Sequence, residues 1–483
     1  MTVEPSPEAA DLAAATTAWT DQWWDPDVGL VWMPPDQPAD GSPTPAPGLH
    51  LLPQTAWYAV GLLLRDGPGD RASALQAIAA VLDHQYDAPG QVWHGTFSLL
   101  HESAEPRPGA QIWVDYDPNW RQFIGCTLLL ALEQFPGALP PDLVARIDAA
   151  LALAVEGEPH DRIADNYSNI ALMHSYLTTE AGHRLGRDEW IADGEDRGRR
   201  VVALFDRFGA FDEYNSPTYY GIDLKALGLW RGHSSSAVLT ELGTRVERAL
   251  WLDAADWYHP GLRNMAGPYT RAYGMDMEHY VAAWSPWIWA ALGREHAPLP
   301  AFDVPLDHGM DVMLGAVVAL IGSVVPEEAA ASIRSFRGEH TVSHRLADAD
   351  HGDRVASAWL GETAMLGVEQ STVDLSWWDQ FHGATAHWRR DDGSLGWLRA
   401  VVPGRPDTTL EPGRLTIRWH HGEAAEGIVA RFVLDRPIAG DPWSFDGLTL
   451  AIDDGPPTTV VDGRELRVGP GPGATTTFVI TPS

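Results

Sequence analysis

The chain has almost no cysteine and half as many basic as acidic side chains. Cys126 is the only cysteine, which excludes an internal disulfide framework, and its apolar neighbours indicate a small core residue. The 483 residues include 33 lysines and arginines against 66 aspartates and glutamates, a formal net charge of -33. Because this charge repels nucleic acid and anionic membrane surfaces, we expect neither as a partner.

Targeting and cofactor signals are also missing. The first residues lack the basic start and apolar run of a secretory signal, so we expect a cytoplasmic protein. The apolar run 310–325 contains two glycines and is short for a membrane span, which predicts a buried element. The chain has no CxxC pair, phosphate-binding loop or dinucleotide fingerprint, and we expect neither metal nor cofactor.

The apolar content is large enough for a globular protein. At 45% hydrophobic residues, the chain can form one large core and a second domain. The 22 tryptophans suit either core packing or a cleft that stacks on sugars, and we favour packing for most of them.

The first part of the chain is dominated by helical periodicity. The pattern predicts helices that include 72–85, 120–134, 143–154, 170–180 and 190–205, without intervening strands. Antiparallel helices of similar length, with polar and aromatic residues at their ends, indicate an (α/α) toroid, an incomplete barrel, over residues 1–300.

The later part changes to alternating patterns and turns. Strands are predicted at 385–389, 395–402, 414–419, 427–434 and 475–480. We expect an antiparallel β-sandwich over residues 301–483.

The segment 209–227 combines hydroxyls and carboxylates at the start of a helix. Ser216 followed by Pro217 predicts the helix start, with serine as the cap. Tyr219 and Tyr220 then lie near the positive end of the helix dipole, where a phenolate is favoured.

Three further polar patches lie at predicted helix ends. One sets Asn119 beside Trp120; another sets Asn166 and Asn169 one turn apart, ahead of His174. The third, 267–278, sets Arg271 among Tyr269, Tyr273, Asp276 and Glu278, and His279 follows it. Each residue alone suits a cap, a packed ring or an ion pair, so the functional interpretation depends on their joint occurrence.

Asparagine, tyrosine and arginine together suit proton removal next to a uronic acid carboxylate. Amide and guanidinium donors neutralise the carboxylate, which otherwise makes the developing dianion too costly. A base takes the proton and an acid protonates the departing glycosidic oxygen. A tyrosine, with an ordinary pKa of about 10, can serve both roles if the helix start and Arg271 favour its phenolate.

The segment GAFDEY, followed by YYG and a helix, resembles the tyrosine segment of hyaluronate and chondroitin AC lyases. The catalytic tyrosine of that family precedes the glycine, which corresponds to Tyr220. The helix at 166–169 is similar to the asparagine segment that holds the substrate carboxylate, and Arg271 falls where the family carries active-site arginines. Residues 358–367 and 380–388 resemble the sandwich of heparinase II/III-type proteins. The histidine that the family usually has before the tyrosine is replaced by Glu213 and Tyr214.

The sequence therefore predicts a carbon–oxygen lyase that acts on a uronic-acid-containing oligosaccharide or polysaccharide. Tyr220 is the preferred acid and base, with Tyr219 as second choice; Asn166 and Arg271 hold the carboxylate, and His174 assists as base. Substrate binding is assigned to Arg271, Asn169, Asn119, Trp120, Tyr273, Glu213, Glu278 and His279.

Three other functions remain open from the residues alone. A glycoside hydrolase on the same toroid needs two facing carboxylates, for which the candidates are Asp115, Asp165, Glu213, Asp276 and Glu278. An isomerase or hydro-lyase acting on a non-sugar molecule fits the predicted location. A carbohydrate-binding or scaffold protein would use its tryptophans for stacking and its polar patches only as caps.

Overall fold

The computed structural model describes residues 5–35, 48–303, 306–348, 352–422, 427–453, 458–471 and 473–482. Two compact units share the chain. The helical unit comprises Met1–Asp206, Gly221–Leu250 and Val281–Val325, and the sandwich unit comprises Arg207–Tyr220, Trp251–Tyr280 and Pro326–Ser483. The domain boundary at residue 300 remains a prediction.

The helices follow the predicted periodicity closely. They are α1 Pro7–Asp21, α2 Leu52–Arg65, α3 Asp70–Leu82, α4 Trp120–Gln134, α5 Pro141–Glu156, α6 Ser168–Leu185, α7 Asp188–Phe208, α8 Tyr219–His233, α9 Ala237–Trp257, α10 Ser285–Leu292, α11 Gly315–Ile321 and α12 Glu327–Arg334. The prediction for α4 is confirmed at both ends, and α3, α5, α6 and α7 differ from their predictions by a few residues at each end.

Helices of two kinds alternate along the helical unit. Helices α2, α4 and α6 are buried over most of their circumference, whereas α3, α5 and α7 bury a single stripe. The buried helices contact one another in order, and Trp230 of α8 donates to the Leu172 carbonyl of α6 at 3.1 Å. Helix α11 contacts α2 and, through Ile321, approaches Gly228 of α8. An inner ring with outer helices packed on it is an (α/α) toroid, as predicted.

Lys225 is the only lysine of the chain, and it is fully buried within this inner ring. Its Nζ lies 5.0 Å from the ring centre of Phe123, 5.7 Å from that of Trp57 and 3.5 Å from the Phe123 carbonyl oxygen. Burial lowers the pKa of Lys225 to about 8, because the surrounding rings solvate the ammonium less well than water.

Short strands also occur within the helical region, where none was predicted. They are β1 Trp24–Asp25, β2 Leu30–Trp32 and β3 His50–Leu51, and, in the sandwich unit, β4 Tyr258–His259 and β5 Asn264–Met265. Two or three residues are too few to show a period of two, so the sequence gives no strand signal here.

The predicted buried element at 310–325 is confirmed over 312–321, whereas Val324, beyond the end of α11, is 61% exposed. Residues Gly309–Leu314 form a 3₁₀ turn that leads directly into α11, and every residue of α11 is buried. Within the described ranges, no helix has both the length and the apolar content needed to cross a membrane.

The sandwich unit contains two antiparallel sheets. Its remaining strands are β6 His340–Asp348, β7 Gly352–Leu360, β8 Ala364–Ser371, β9 Ala384–Arg389, β10 Leu395–Val401, β11 Asp407–Glu411, β12 Arg414–His420, β13 Ala430–Leu434, β14 Ser444–Phe445, β15 Leu448–Ile452, β16 Thr459–Asp462, β17 Glu465–Val468 and β18 Thr475–Pro482. One sheet has the order β16-β17-β13-β10-β9-β8-β7-β6 and the other β11-β12-β18-β15-β14. Alternate residues of both sheets, such as Leu366, Trp388, Ile417 and Phe478, form a shared core, which confirms the predicted β-sandwich.

The eight-stranded sheet is also covered on its outer face. Residues 207–220 and 251–280 pack there, so closely that a Cβ on Gly367 would lie 1.7 Å from the Gly267 carbonyl oxygen. Thr385 and His387 of β9 are buried under the same cover. At β8 and β9 both faces of this sheet are therefore interior, and the outward side chains there are available to position the covering segments.

A glycine pair on α8 tests the close packing of the inner ring. A Cβ at Gly221 would lie 2.1 Å from the backbone C and O atoms of Ala283, whereas a Cβ at Gly232 would meet nothing within 4 Å. We expect Gly221→Ala to lower the free energy of unfolding by about 3 kcal/mol, since backbone atoms cannot yield as side chains do. Gly232→Ala should raise it by up to about 1 kcal/mol through helix propensity. Equal stability of the two variants in thermal unfolding followed by circular dichroism would contradict the close approach.

Candidate active site

The start of α8 has the predicted cap. The Ser216 hydroxyl accepts a hydrogen bond from the Tyr219 amide at 2.9 Å, and its carbonyl accepts one from the Tyr220 amide at 3.0 Å. Asn215, in the left-handed region with φ 46°, donates from its side chain to the carbonyls of Ala266 and Pro268 at 2.7 and 2.6 Å. The first turn of α8 is thereby attached to the segment that carries Arg271.

Tyr219 lies against a cation and a second phenol. Arg271 Nη2 donates to the Tyr219 hydroxyl at 2.6 Å, and the Tyr273 hydroxyl lies 2.6 Å from the same oxygen. The Arg271 guanidinium also covers the Tyr219 ring, 3.8 Å from its centre. Burial, reinforced by Tyr273, raises the pKa of Tyr219 well above its usual range although Arg271 opposes the shift. The Tyr219 hydroxyl is therefore protonated at neutral pH and can act as a proton donor.

Arg271 is fixed on several sides. Its Nη1 forms an ion pair with Glu213 Oε1 at 2.6 Å, and its Nε donates to Gln380 Oε1 at 3.0 Å. Trp378 lies 5.6 Å below the guanidinium, and the Arg271 carbonyl accepts a hydrogen bond from the Ser216 hydroxyl. The side chain keeps 15% of its surface exposed. An anion can therefore approach a guanidinium whose orientation is already set.

Tyr220 has a different environment from its neighbour. Its hydroxyl accepts from the Asn215 amide at 2.7 Å and donates to Asp253 Oδ2 at 2.6 Å, and the residue is 0% exposed. Asp253 Oδ1 in turn pairs with His344 Nε2 at 2.6 Å. Burial alone would lower the pKa of His344, but the Asp253 charge outweighs it and raises the pKa above its ordinary value. Tyr220 thus belongs to an enclosed polar chain, and its role as acid and base remains a prediction.

A buried charge pair lies beneath this group. Arg354 Nε donates to Glu369 Oε1 at 2.8 Å, and the Tyr214 hydroxyl donates to Glu369 Oε2. Burial raises the pKa of Tyr214 well above its usual range, which keeps this donor protonated. Since Tyr214 stands between Glu213 and Asn215, the pair fixes the backbone that carries both of these residues.

The helical unit collects a separate polar group. Asn119 donates to the Tyr167 hydroxyl at 3.0 Å and accepts from Arg162 Nη1 at 2.9 Å. Arg162 also pairs with Glu158, which accepts a hydrogen bond from Gln122 at 2.9 Å. The network joins the N-terminal ends of α4 and α6. Asn119 and Gln122 lie at the start of α4, whereas Glu158, Arg162 and Tyr167 lie in the loop before α6.

His174 lies beside this network, 3.4 Å from both Gln122 Nε2 and Thr178 Oγ1. Burial lowers the pKa of His174 to about 4, since the Glu158 charge only partly offsets the lost solvation and nearby arginines oppose protonation. Its imidazole is therefore neutral at neutral pH, the form in which a histidine can accept a proton.

The other predicted residues of the helical unit lie at or just before the starts of α4 and α6. Asn169 is buried in the first turn of α6, and Asn166 is partly exposed in the loop before it. Trp120 begins α4, with its ring 5.3 Å from that of Phe123. Their assigned contacts with substrate remain predictions.

The remaining predicted residues of the sandwich unit form surface ion pairs. Glu278 pairs with Arg263 at 2.5 Å, and His279 pairs with Asp276 at 2.7 Å. Glu278 and His279 are both exposed. The structure therefore groups Glu213, Tyr219, Arg271 and Tyr273 through direct contacts, whereas Glu278 and His279 form their own pairs.

The carboxylates proposed for hydrolysis are engaged with other groups. Asp165 pairs with Arg197 and Arg200 at 3.2 and 2.9 Å, Asp276 with His279 and Glu213 with Arg271. Asp115 accepts a hydrogen bond from the Gln111 amide at 2.7 Å. Each of these carboxylates therefore already has an ion-pair or hydrogen-bond partner within its own unit.

Several contributors to these contacts were not predicted from the sequence. Gln380 and Trp378 hold Arg271 from more than 100 residues away, and Asp253 and His344 enclose Tyr220.

His340 and His344 have a spacing that suits metal binding on a helix. They lie on strand β6, where four residues span about 13 Å, too far for one ion. Among the residues that the structure describes, no three His, Cys, Asp or Glu side chains are grouped as a metal site requires.

A family model described as "Domain of unknown function (DUF8769)" matches residues 10–323. No curated protein matches the chain. A solved structure described as "Crystal Structure of Heparinase III" is similar at 9% identity and a TM-score of 0.41, over 100% of this chain and 86% of that chain.

The low pKa of His174 predicts a pH-dependent contribution to stability. A histidine in the unfolded chain has a pKa near 6.5. As the pH falls from about 6.5 to about 4, the unfolded chain binds a proton at this position that the folded protein does not bind. The free energy of unfolding therefore decreases over this range. We expect His174→Gln to lose less unfolding free energy than the wild type between about pH 7 and pH 4.5. Denaturant unfolding at the two pH values measures this difference.

The exposed His160 provides the control, because His160→Gln should follow the wild type at both pH values. A loss of stability in His174→Gln equal to that of the wild type would contradict the burial of a neutral imidazole.

Proposed function

The chain belongs to the DUF8769 family, and we propose that it is a carbon–oxygen lyase that cleaves a uronic-acid-containing oligosaccharide or polysaccharide by β-elimination. The contact between the Tyr219 hydroxyl and the Arg271 guanidinium, at 2.6 Å, carries this proposal. It brings a proton donor and a carboxylate-binding group together at one helix start. The roles predicted for Asn166 and His174, which belong to the helical unit, remain predictions.

The chemistry of elimination matches what these two side chains offer. A base takes the proton next to the carboxylate, which is the role predicted for His174, and a guanidinium near the carboxylate stabilises the negative charge that builds. The bond from the neighbouring ring carbon to the glycosidic oxygen then breaks, a carbon–carbon double bond forms, and the leaving oxygen takes a proton. We assign that proton to Tyr219, because its raised pKa keeps it protonated until the leaving oxygen becomes basic.

Glu213 and Gln380 serve as positioning residues in this proposal. Each of them accepts a hydrogen bond from one edge of the Arg271 guanidinium, and the guanidinium lies over the Tyr219 ring. A fixed donor loses no free energy to reorganisation when charge develops. The Glu213 charge also balances that of Arg271 in the resting protein, so an incoming carboxylate shares a cation that is already partly neutralised.

Two adjacent tyrosines allow a matched test of the acid. We expect Tyr219→Phe to lower turnover by about 10² or more, the usual contribution of a positioned acid. Tyr220→Phe should keep turnover and instead lose about 1–3 kcal/mol of stability, because Asp253 and the Asn215 amide lose a buried partner. The assay follows the ultraviolet absorbance of the unsaturated product formed from uronate oligomers by the purified protein.

The opposite result, with Tyr220→Phe inactive and Tyr219→Phe active, would restore the role predicted for Tyr220. New reducing ends without that absorbance would show hydrolysis and refute elimination.

Arg271 can be tested against a neighbouring arginine. Arg271→Lys keeps the charge but loses the fork that reaches Glu213, Gln380 and Tyr219 together, so we expect kcat/KM to fall about 100-fold. Arg263→Lys, which keeps the charge that faces Glu278, should change it less than about twofold. Equal effects of both substitutions in steady-state kinetics would show that Arg271 contributes only general charge.

A further inference from the structure

Trp377 exposes an unusually large apolar surface. It is 76% exposed, in the loop 372–383 between β8 and β9 of the sandwich unit. Most tryptophans of this chain are buried, and tryptophan is enriched at binding surfaces, so an exposed ring that its loop holds in place is a candidate contact surface.

The loop holds the Trp377 ring in a defined position. The Asp374 carboxylate accepts hydrogen bonds from the Ser376 amide and hydroxyl at 2.9 and 2.7 Å, and the Asp374 carbonyl accepts one from Trp377 Nε1 at 3.0 Å. The Trp378 amide donates to the Leu375 carbonyl at 3.0 Å. Because the polar atom of the indole is satisfied within its own loop, the faces of the ring remain available for an apolar contact.

The inner side of the loop is anchored in the sandwich. Val373, Leu375 and Phe381 line a cleft whose other walls include Val402 and Ile417 of the sheets. The loop therefore packs other apolar side chains against the sandwich, and the exposure of Trp377 has a different cause from missing apolar packing beneath the loop.

The same loop holds Arg271. Trp378 lies 5.6 Å from the guanidinium, Gln380 accepts from Arg271 Nε at 3.0 Å, and the Gln380 carbonyl accepts from the Ala272 amide at 3.0 Å. Trp377 directly precedes Trp378, and consecutive Cα atoms are about 3.8 Å apart. Trp377 therefore lies next to a residue that contacts the Arg271 guanidinium.

We propose that Trp377 is a stacking platform for a pyranose ring of the saccharide, next to the sugar whose carboxylate Arg271 binds. This inference rests on the proposed function, in that the occupant is a saccharide. The carbon–hydrogen face of a pyranose is apolar and flat enough to lie on an indole. A formal net charge of -33 repels an acidic saccharide at a distance, and stacking supplies attraction that this charge does not cancel.

The geometry fits a sugar better than a protein partner. A stable protein interface covers about 800 Å² on each side, whereas here one ring projects between the exposed polar residues Thr372 and Asp379. The platform also predicts a dependence on chain length, since only a substrate longer than the sugars at Arg271 reaches it.

Binding as a function of saccharide length tests the platform. The probes are disaccharides, tetrasaccharides and hexasaccharides of hyaluronate, chondroitin and polygalacturonate, titrated calorimetrically into the wild type and Trp377→Ala. We expect affinity for the longest saccharide that the wild type binds to fall about tenfold in Trp377→Ala, with the disaccharide unchanged and with Trp377→Tyr retaining most of the affinity. In turnover, KM for long substrates should rise while kcat stays constant.

Trp113→Ala is the matched control, because Trp113 is also a strongly exposed tryptophan but belongs to the helical unit. Equal affinity of Trp377→Ala and the wild type at every length would refute the platform, as would an equal loss in Trp113→Ala. A change in self-association on Trp377→Ala, with saccharide binding intact, would assign the ring to protein contact instead.

The outcomes separate this inference from the proposed lyase activity. Length-dependent binding that is lost in Trp377→Ala, without any unsaturated product from the wild type, would keep the platform and refute the lyase. Product formation that Trp377→Ala leaves unchanged for all lengths would keep the lyase and refute the platform. A wild type that binds none of the three saccharide series would refute the platform.

Discussion

The buried charge pair of Arg354 and Glu369 is the constraint on which the candidate site of the sandwich unit depends. Both residues face outward from an eight-stranded sheet whose outer face is covered, so each charge must find its partners inside the protein. Tyr214 supplies one of them from the covering segment. Fixing Tyr214 also fixes its neighbours, and Glu213 then reaches Arg271 while the Asn215 amide reaches the Tyr220 hydroxyl. A requirement for charge neutralisation in the interior thus sets the geometry of groups nearer the surface.

The same turn of helix gives two adjacent phenols opposite surroundings. Tyr219 meets a guanidinium and keeps 8% of its surface exposed, whereas Tyr220 meets the Asp253 carboxylate and keeps none. Two residues that look equivalent in the sequence therefore differ in their access to solvent and in the charge of the group that each contacts. Their order along the chain is determined by the helix, and their chemistry by residues far away in the sequence.

The features that were predictable from the sequence are those with local signals. Helix α4 begins and ends where its periodicity does, Ser216 caps α8, and alternation of apolar residues marks β9, β10 and β12. Tyr219, Tyr273 and Arg271 were assigned to one site because polar and aromatic residues occur together at predicted helix ends. The different surroundings of Tyr219 and Tyr220 had no local signal, because Gln380, Asp253 and His344 come from distant segments. The low pKa of His174 likewise depends on burial, which a single helical histidine does not reveal.

The solitary lysine has a practical consequence. A protease specific for lysine finds one cleavable bond in the entire sequence, after Lys225, and that bond lies on a fully buried stretch of α8 among the inner helices. The native protein withholds this bond, and cutting requires α8 to leave the ring. The rate of cleavage at this single bond therefore measures how often the toroid opens, because the protease has no other bond to cleave.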